Sequence, residues 1–463
     1  MDIVQEISRI VGKENVSKDP VVLQLHSMDA IKKSGKTNLV VFPENTEQVS
    51  KIMKFCYENE IKVYPQGSST ELSGSSIPED GLVLNLSKMN KIEDISILDG
   101  YVITQAGAKL LEIEEKLNDL GFTFPIDPGS LRAATVGGAI NTGAGGMKGA
   151  KYGTIVDWVL GLEIVTADGR ILNIGSKTLK CRQGYYLTKL IVGSEGTLAI
   201  VTRAILKIVP MPENMVYGVG IFRSPEDAME AVLEIKKAKI LPAVLEFLDS
   251  DLVKAGRDIV QLKEEGDMLL VGIECNFEAR DRIAENLKEI LRKNALYVEV
   301  AKTTKEAEER NLLGLRRAFY PLALKLASQD FGNKKHLVLI EDIAVPVSKL
   351  PRVVKDIKAC AAKYGFRVLI AGHVGDGNLH PTIWTLLDDS EMMERAEKFY
   401  MDVMKIALEN EGTISAEHGI GVMKKKGLEM EMSYRKSEYA LELMRKIKSI
   451  FDPKNILNPG KVI

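Results

Sequence analysis

The sequence predicts an α+β protein of more than one domain. Strand-length apolar runs alternate with segments of helical spacing along 463 residues, enough chain for two or three cores. Glycine is dense in two stretches of the first half, 129–153 and 193–197. Composition changes after the apolar run ending at Val209, where Pro210 and Pro212 interrupt regular structure and mark a boundary near 210.

Taken in order, residues 1–16 have the spaced apolar positions of a short amphipathic helix, and 38–43 resemble a buried strand. Residues 46–59 read as a helix leading into a short strand at 62–65, and strands at 82–86 and 101–105 flank a turn-rich segment. Helical spacing returns at 109–120, and strands at 160–166 and 171–174 surround the turn 167–170. Beyond the boundary, 224–238 reads as a helix with Pro225 near its start, 268–274 as a strand, and 279–292 as a helix. One long charged helical section is expected over 305–327, further helices at 391–410 and 439–450, and between these two a polar turn holding Ser415, Glu417 and His418.

Composition bounds the function. Lysine and arginine total 62 against 64 acidic residues, a net charge of -2, which gives no global case for binding nucleic acid. The opening residues lack a basic segment followed by a secretory core, and no run approaches the roughly 20 apolar residues of a membrane helix, so a cytoplasmic protein without a transmembrane segment is expected. Cys56, Cys181, Cys275 and Cys360 are too scattered for a disulfide scaffold or an iron-sulfur ligand cluster. An iron-sulfur acceptor would belong to another chain.

The glycine-dense stretch GSLRAATVGGAINTGAGGMKGAKYG allows close backbone approach to a bound group, a property that a mobile surface loop shares. Later, AGHVGDGNLHPT brackets an aspartate between glycines and two histidines. With Asp376 and Gly377 as a two-residue turn, His373 faces His380 directly across a hairpin, a chelating arrangement for a borderline metal such as zinc. Glu417 offers a carboxylate ligand. A purely structural hairpin, or oxygen ligation through Asp376 or Asn378, is compatible with the same residues. A nucleotide-triphosphatase loop is disfavoured, because no lysine followed by Ser or Thr completes it.

Together, the segments 65–74, 128–153, 184–200, 372–380 and 416–421 resemble the FAD-linked oxidase family that includes D-lactate dehydrogenase, the glycolate oxidase FAD subunit and D-2-hydroxyglutarate dehydrogenase. The resemblance implies a two-part FAD-binding domain of the PCMH type over 1–210, an α+β substrate or cap domain over 211–415, and a segment 416–463 returning to the flavin site. It implies noncovalent FAD, with Pro65, Gly67, Ser68, Ser69, Thr70 and Gly74 at the pyrophosphate. Pro128, Gly129, Ser130, Gly137, Gly138, Asn141, Thr142 and Gly145 would form another wall, and Glu195, Gly196, Thr197 and Ile200 the opposite side. The first loop departs from the family pattern, with Gln66 where arginine is typical, Ser69 where glycine is common, and Glu71 bringing negative charge. Tyr185 and Tyr186 are expected to pack as aromatics, Tyr186 standing where aspartate is frequent.

By the same resemblance His373, His380 and Glu417 bind Zn2+ or another divalent metal, His418 is the catalytic base, and the C2 hydride of a 2-hydroxy acid passes to the flavin. Arg316 matches the arginine that binds the substrate carboxylate, with Arg317 the neighbouring alternative; a charged helix face is the plain reading of both. Asn378 orients substrate or water, and Asp342 is supporting. The implied activity is an FAD-dependent D-2-hydroxy-acid dehydrogenase, with lactate the leading substrate and glycolate or D-2-hydroxyglutarate the alternatives. A noncatalytic flavin-binding subunit of a redox complex is the competing class. Implied partners are an electron-transfer flavoprotein, an iron-sulfur subunit or a quinone-linked acceptor, within a homodimer, a hetero-oligomer or a peripheral membrane redox complex.

Overall fold

The structure, a computed structural model, describes residues 2–30, 34–260 and 262–463. Met1, where the first expected helix begins, lies outside them. Two compact units emerge, one of Met1–Gly145, Thr154–Met211 and Glu417–Ile463, the other of Gly146–Gly153 and Pro212–Ala416. Part of the glycine-dense stretch, Gly146–Gly153, thus belongs to the second unit although it lies well before residue 210 in the chain. This is a two-domain α+β architecture.

In the first unit a four-stranded sheet runs in the order Val16–Ser17, Leu39–Val41, Leu82–Asn85, Val63–Gln66, with parallel pairing among the last three. Parallel strands need a crossover, and the helix Thr46–Glu58 supplies one. Asn45 caps it by accepting the Gln48 amide at 2.9 Å, and Val49, Ile52, Met53 and Cys56 are buried at helical spacing. The C-terminal segment extends this sheet: Val63 donates to Ile456 O at 2.8 Å, and Asn458 donates back to Val63 O at 2.8 Å. A second, five-stranded antiparallel sheet has the order Ile92–Ser96, Tyr101–Gln105, Ile200–Lys207, Val159–Val165, Ile171–Gly175.

The second unit is built on an eight-stranded antiparallel sheet. Its path is Tyr297–Ala301, Asn214–Phe222, Asp267–Cys275, Val244–Leu248, Leu369–His373, Asn378–Leu386, His336–Ile340, and Ile343–Ala344 also pairs with Asn378–Leu386. On one face Phe247, Leu269, Ile370 and Ile383 pack with residues of the helices Pro225–Lys237, Leu350–Tyr364 and Ser390–Glu409. On the other, Leu248, Leu270, Leu369 and Trp384 pack with Leu252 and with Leu322 and Leu326 of Phe319–Phe331. Covering both faces hides the two-residue alternation: all nine residues of Asn214–Phe222 are buried.

Two expectations change. The single helix over 305–327 is three, Thr304–Glu309, Gly314–Arg317 and Phe319–Phe331, interrupted where Asn311 takes a left-handed φ of 51°. Tyr185 and Tyr186 are not packed aromatics: they are 96% and 48% exposed on a surface loop, the second ring lying under the Arg182 guanidinium. The helix Leu350–Tyr364 and the strands Asn214–Phe222 and Val244–Leu248 were not anticipated. Among the described residues no helix is long and apolar enough to cross a membrane.

Candidate active site

The loop leaving the strand Val63–Gln66 is a cradle of open donors. Neither the amides nor the hydroxyls of Ser68, Ser69 and Thr70 meet an acceptor among the described residues, and Ser69 holds a left-handed φ of 50°. Successive free amides and hydroxyls suit the pyrophosphate of a dinucleotide. The loop's departures from the family pattern are structural. Gln66 is buried and donates to His26 O at 2.8 Å and Ser76 O at 2.9 Å. Glu71 turns its carboxylate onto its own loop, accepting the amides of Ser73 and Gly74 at 2.8 Å and of Ser76 at 3.1 Å. The Gly74 amide is therefore committed within the loop, unlike those of Ser68 to Thr70.

The neighbouring wall fits closely against this loop. A Cβ on Gly67 would lie 2.2 Å from Thr135 Oγ1, the hydroxyl that caps the helix Val136–Thr142 by accepting from Gly138 at 3.2 Å. A Cβ on Gly196 would lie 2.6 Å from the Pro65 ring. Asn141 ties helix to loop: its Oδ1 accepts the Gly196 amide at 3.0 Å, while its side-chain nitrogen donates to Gly137 O at 2.8 Å. The hydroxyls of Thr142 and Thr197 bond Gly138 O and Ser194 O. Pro128, Gly129 and Ser130 form a turn upstream of that helix, with Gly129 exposed and its two neighbours half-buried, and Ile200 is buried at the head of its strand.

Glu195 does something its assignment as a lining residue does not convey. Held at a left-handed φ of 52° and 5% exposed, it accepts the amides of Ile420 at 2.7 Å and Gly421 at 2.8 Å, one on each oxygen. Burial pushes its pKa up to about 7 against the opposing pull of the two amides. The clamped turn begins two residues after His418. Upstream, a Cβ on Gly145 would lie 2.5 Å from Glu417 Oε2, so a larger residue there would displace the Glu417 carboxylate.

In the second unit the histidine hairpin differs from expectation in register. Ala371, not His373, pairs with His380, because the turn centres on Gly375 and Asp376. Gly377, at φ 90°, lies where a Cβ would stand 1.9 Å from Val345 O, so the backbone passes too close for any other residue. A shift of two preserves the sheet face. The two imidazoles remain diagonal neighbours with ring centroids 5.2 Å apart.

Each buried histidine has its own partner. His373 Nδ1 lies 2.8 Å from Glu246 Oε1, and Arg316 Nη2 lies 3.4 Å from His373 Nε2. Arg316 points inward and is itself held by Glu246 at 2.5 Å, whereas Arg317 is exposed. His380 Nδ1 is 3.8 Å from Asp342 Oδ1. Asn378 spends its side-chain amide on Asp342 Oδ1 and Ile343 O, both at 2.8 Å. Asp342 Oδ2 accepts Ser415 Oγ at 3.2 Å and the Ala416 amide at 2.8 Å, and Glu417 and His418 follow next in the chain. Asp342 and His380 in the second unit, and Glu417 and His418 in the first, are each candidate metal ligands. Imidazole and carboxylate donors fit zinc or a similar divalent ion. Protein donors occupy both oxygens of Asp342.

Residues 37–175 match the family model "FAD binding domain", and 211–462 match "FAD linked oxidases, C-terminal domain". The chain belongs to the FAD-linked oxidase family. It is an FAD-dependent oxidoreductase. The chain is 37% identical over its whole length to the glycolate oxidase subunit GlcD of Bacillus subtilis, covering 96% of that protein. It is also 37% identical to a D-lactate dehydrogenase of Archaeoglobus fulgidus, over 93% of this chain and 92% of the relative. The fold is shared with a 4-ethylphenol oxidase from Gulosibacter chungangensis, with TM-score 0.79 at 18% identity, covering 99% and 96% of the two chains.

Within this FAD-linked oxidase, sequence reasoning overlooked Glu246. The signal was present: a lone acid in the otherwise apolar strand VLEFL, fully buried. A carboxylate is seldom buried without a partner.

Proposed function

We propose that the protein oxidises a small D-2-hydroxy acid, D-lactate foremost, to the 2-oxo acid. The observation that carries this reading is the paired placement of Arg316 and His373 on Glu246, a carboxylate-binding cation beside a candidate metal ligand. Glycolate is the alternative, and 37% identity to relatives named for each activity does not separate them. Substrate size favours a single carboxylate. Among the described residues of the second unit no lysine or arginine is fully buried, and Arg316, at 11% side-chain exposure, is a cation held beside the hairpin.

When bound, FAD would supply the two-electron acceptor and a divalent ion would supply a Lewis acid, with His373, His380 and Glu417 as its proposed ligands. The chain's own residues do the rest. Arg316 binds the substrate carboxylate through the nitrogens that Glu246 leaves free. His418 takes the hydroxyl proton as C2 gives up its hydrogen with two electrons. Asp342 holds the Ala416 amide and so sets where Glu417 and His418 begin. Electrons then leave to a separate acceptor, such as an electron-transfer flavoprotein, an iron-sulfur subunit or a quinone-linked protein.

Steady-state reduction of an artificial dye by metal-replete flavoprotein tests this, with D- and L-lactate, glycolate and D-2-hydroxyglutarate as substrates. D-lactate is expected to show the highest kcat/KM. No turnover with any of them, cofactors confirmed, would favour a noncatalytic flavin-binding subunit.

A further inference from the structure

Glu246 is fully buried in the strand Val244–Leu248 and pairs in register with His373 on the adjacent strand. Both of its oxygens are engaged: Oε2 accepts from Arg316 Nε at 2.5 Å, and Oε1 faces His373 Nδ1 at 2.8 Å. The far side of the ring, Nε2, lies 3.4 Å from Arg316 Nη2.

These contacts decide where the imidazole hydrogen sits. A carboxylate only accepts and a guanidinium only donates. The hydrogen must therefore be on Nδ1, facing Glu246, and the lone pair on Nε2, facing Arg316. The two neighbours agree on the tautomer. An imidazole with its hydrogen at Nδ1 and its lone pair at Nε2 can ligate a metal through Nε2.

We propose that Glu246 is the positioning residue of this site, fixing His373 in the tautomer whose Nε2 is the acceptor and ligating atom, and holding Arg316 by Nε so that Nη1 is left for a substrate carboxylate. The metal and substrate roles rest on the function proposed above; the tautomer does not. A carboxylate is needed because two donors must be accepted at once. Glutamine offers one acceptor and one donor, so its amide nitrogen must face either Arg316 Nε or His373 Nδ1. Facing the histidine, it drives the hydrogen to Nε2, which removes the lone pair and opposes the Arg316 donor.

The test is nitrogen-15 NMR of histidine-labelled, metal-free flavoprotein above pH 8, with the His373 signal identified by its loss in His373→Asn. The wild type is expected to carry hydrogen on Nδ1. In Glu246→Gln the hydrogen should shift to Nε2, and Zn2+ affinity, measured by competition with a chromogenic chelator, should fall by about 10–100-fold. Glu246→Asp, which keeps two acceptors, should retain the wild-type tautomer, while FAD content stays unchanged throughout. If Glu246→Gln fails to fold, the wild-type tautomer decides the matter alone. An Nε2-protonated His373 in the wild type, or a folded Glu246→Gln with unaltered zinc affinity, would overturn the proposal. Failure of the proposed reaction would instead show as a wild-type flavin that no hydroxy acid reduces.

Discussion

Glu195 accepts the backbone amide of Gly421 at 2.8 Å across 226 positions of sequence. With the Ile420 amide on its other oxygen, this one side chain ties the Glu195–Gly196 loop to the turn following Glu417 and His418. Gly419 adjoins it, where a Cβ would lie 2.6 Å from Glu195 Oε1.

Stability should depend on the ionisation of Glu195. Burial raises its folded pKa from 4.5 to about 7, so its favourable contribution is complete below about pH 4.5 and is lost as pH rises through about 7. Relative to Glu195→Gln, which stays neutral, the wild type should lose up to about 3 kcal/mol over that window. Denaturant unfolding of both proteins from pH 4.5 to 8.5 measures the difference. Parallel curves would contradict it.

Gly67→Ala should weaken FAD binding. The added methyl meets Thr135 Oγ1, so either the donor loop or the helix cap must move, and loss of a cap alone costs about 1 kcal/mol. Flavin content of the purified protein and the FAD dissociation constant should shift at least tenfold. Glu115→Ala, on the exposed face of the helix Leu110–Asn118, serves as the mild comparison.

The two adjacent arginines should separate cleanly. Arg316→Lys keeps the charge but loses the planar fork that serves Glu246 and a substrate carboxylate together, so KM should rise tenfold or more. Arg317→Lys, on the exposed face, should change KM less than about threefold. Equal effects would remove Arg316 from its assigned place.

Gly377→Ala tests the hairpin turn. The left-handed φ of 90° and the 1.9 Å approach of a Cβ to Val345 O both oppose a side chain. A loss of about 2–3 kcal/mol is expected, lowering the thermal midpoint by on the order of 5–10 °C. A midpoint within 1–2 °C of wild type would show that the turn relaxes freely.

Legibility in the sequence followed burial pattern. Thr46–Glu58 declared itself because a capping Asn45 precedes apolar residues on one face, whereas Asn214–Phe222 is covered on both faces and offers no alternation to read. The histidine pair was legible as a hairpin, but its register depended on which glycine crowds against Val345, a tertiary contact. Glu71 looked like a liability beside a phosphate, and only the fold shows it folded back onto its own loop. Glu246 lay outside every motif, since its partners Arg316 and His373 are 70 and 127 residues away.

Single-turnover mixing of metal-replete FAD protein with D-lactate, without oxygen, tests the proposed chemistry most directly. Rapid bleaching of the flavin by the D isomer and not the L isomer is the expected result. In His418→Gln the bleaching should slow at least 100-fold with FAD and metal retained. An oxidised spectrum that persists with every D-2-hydroxy acid tried, or full-speed reduction in His418→Gln, would contradict it.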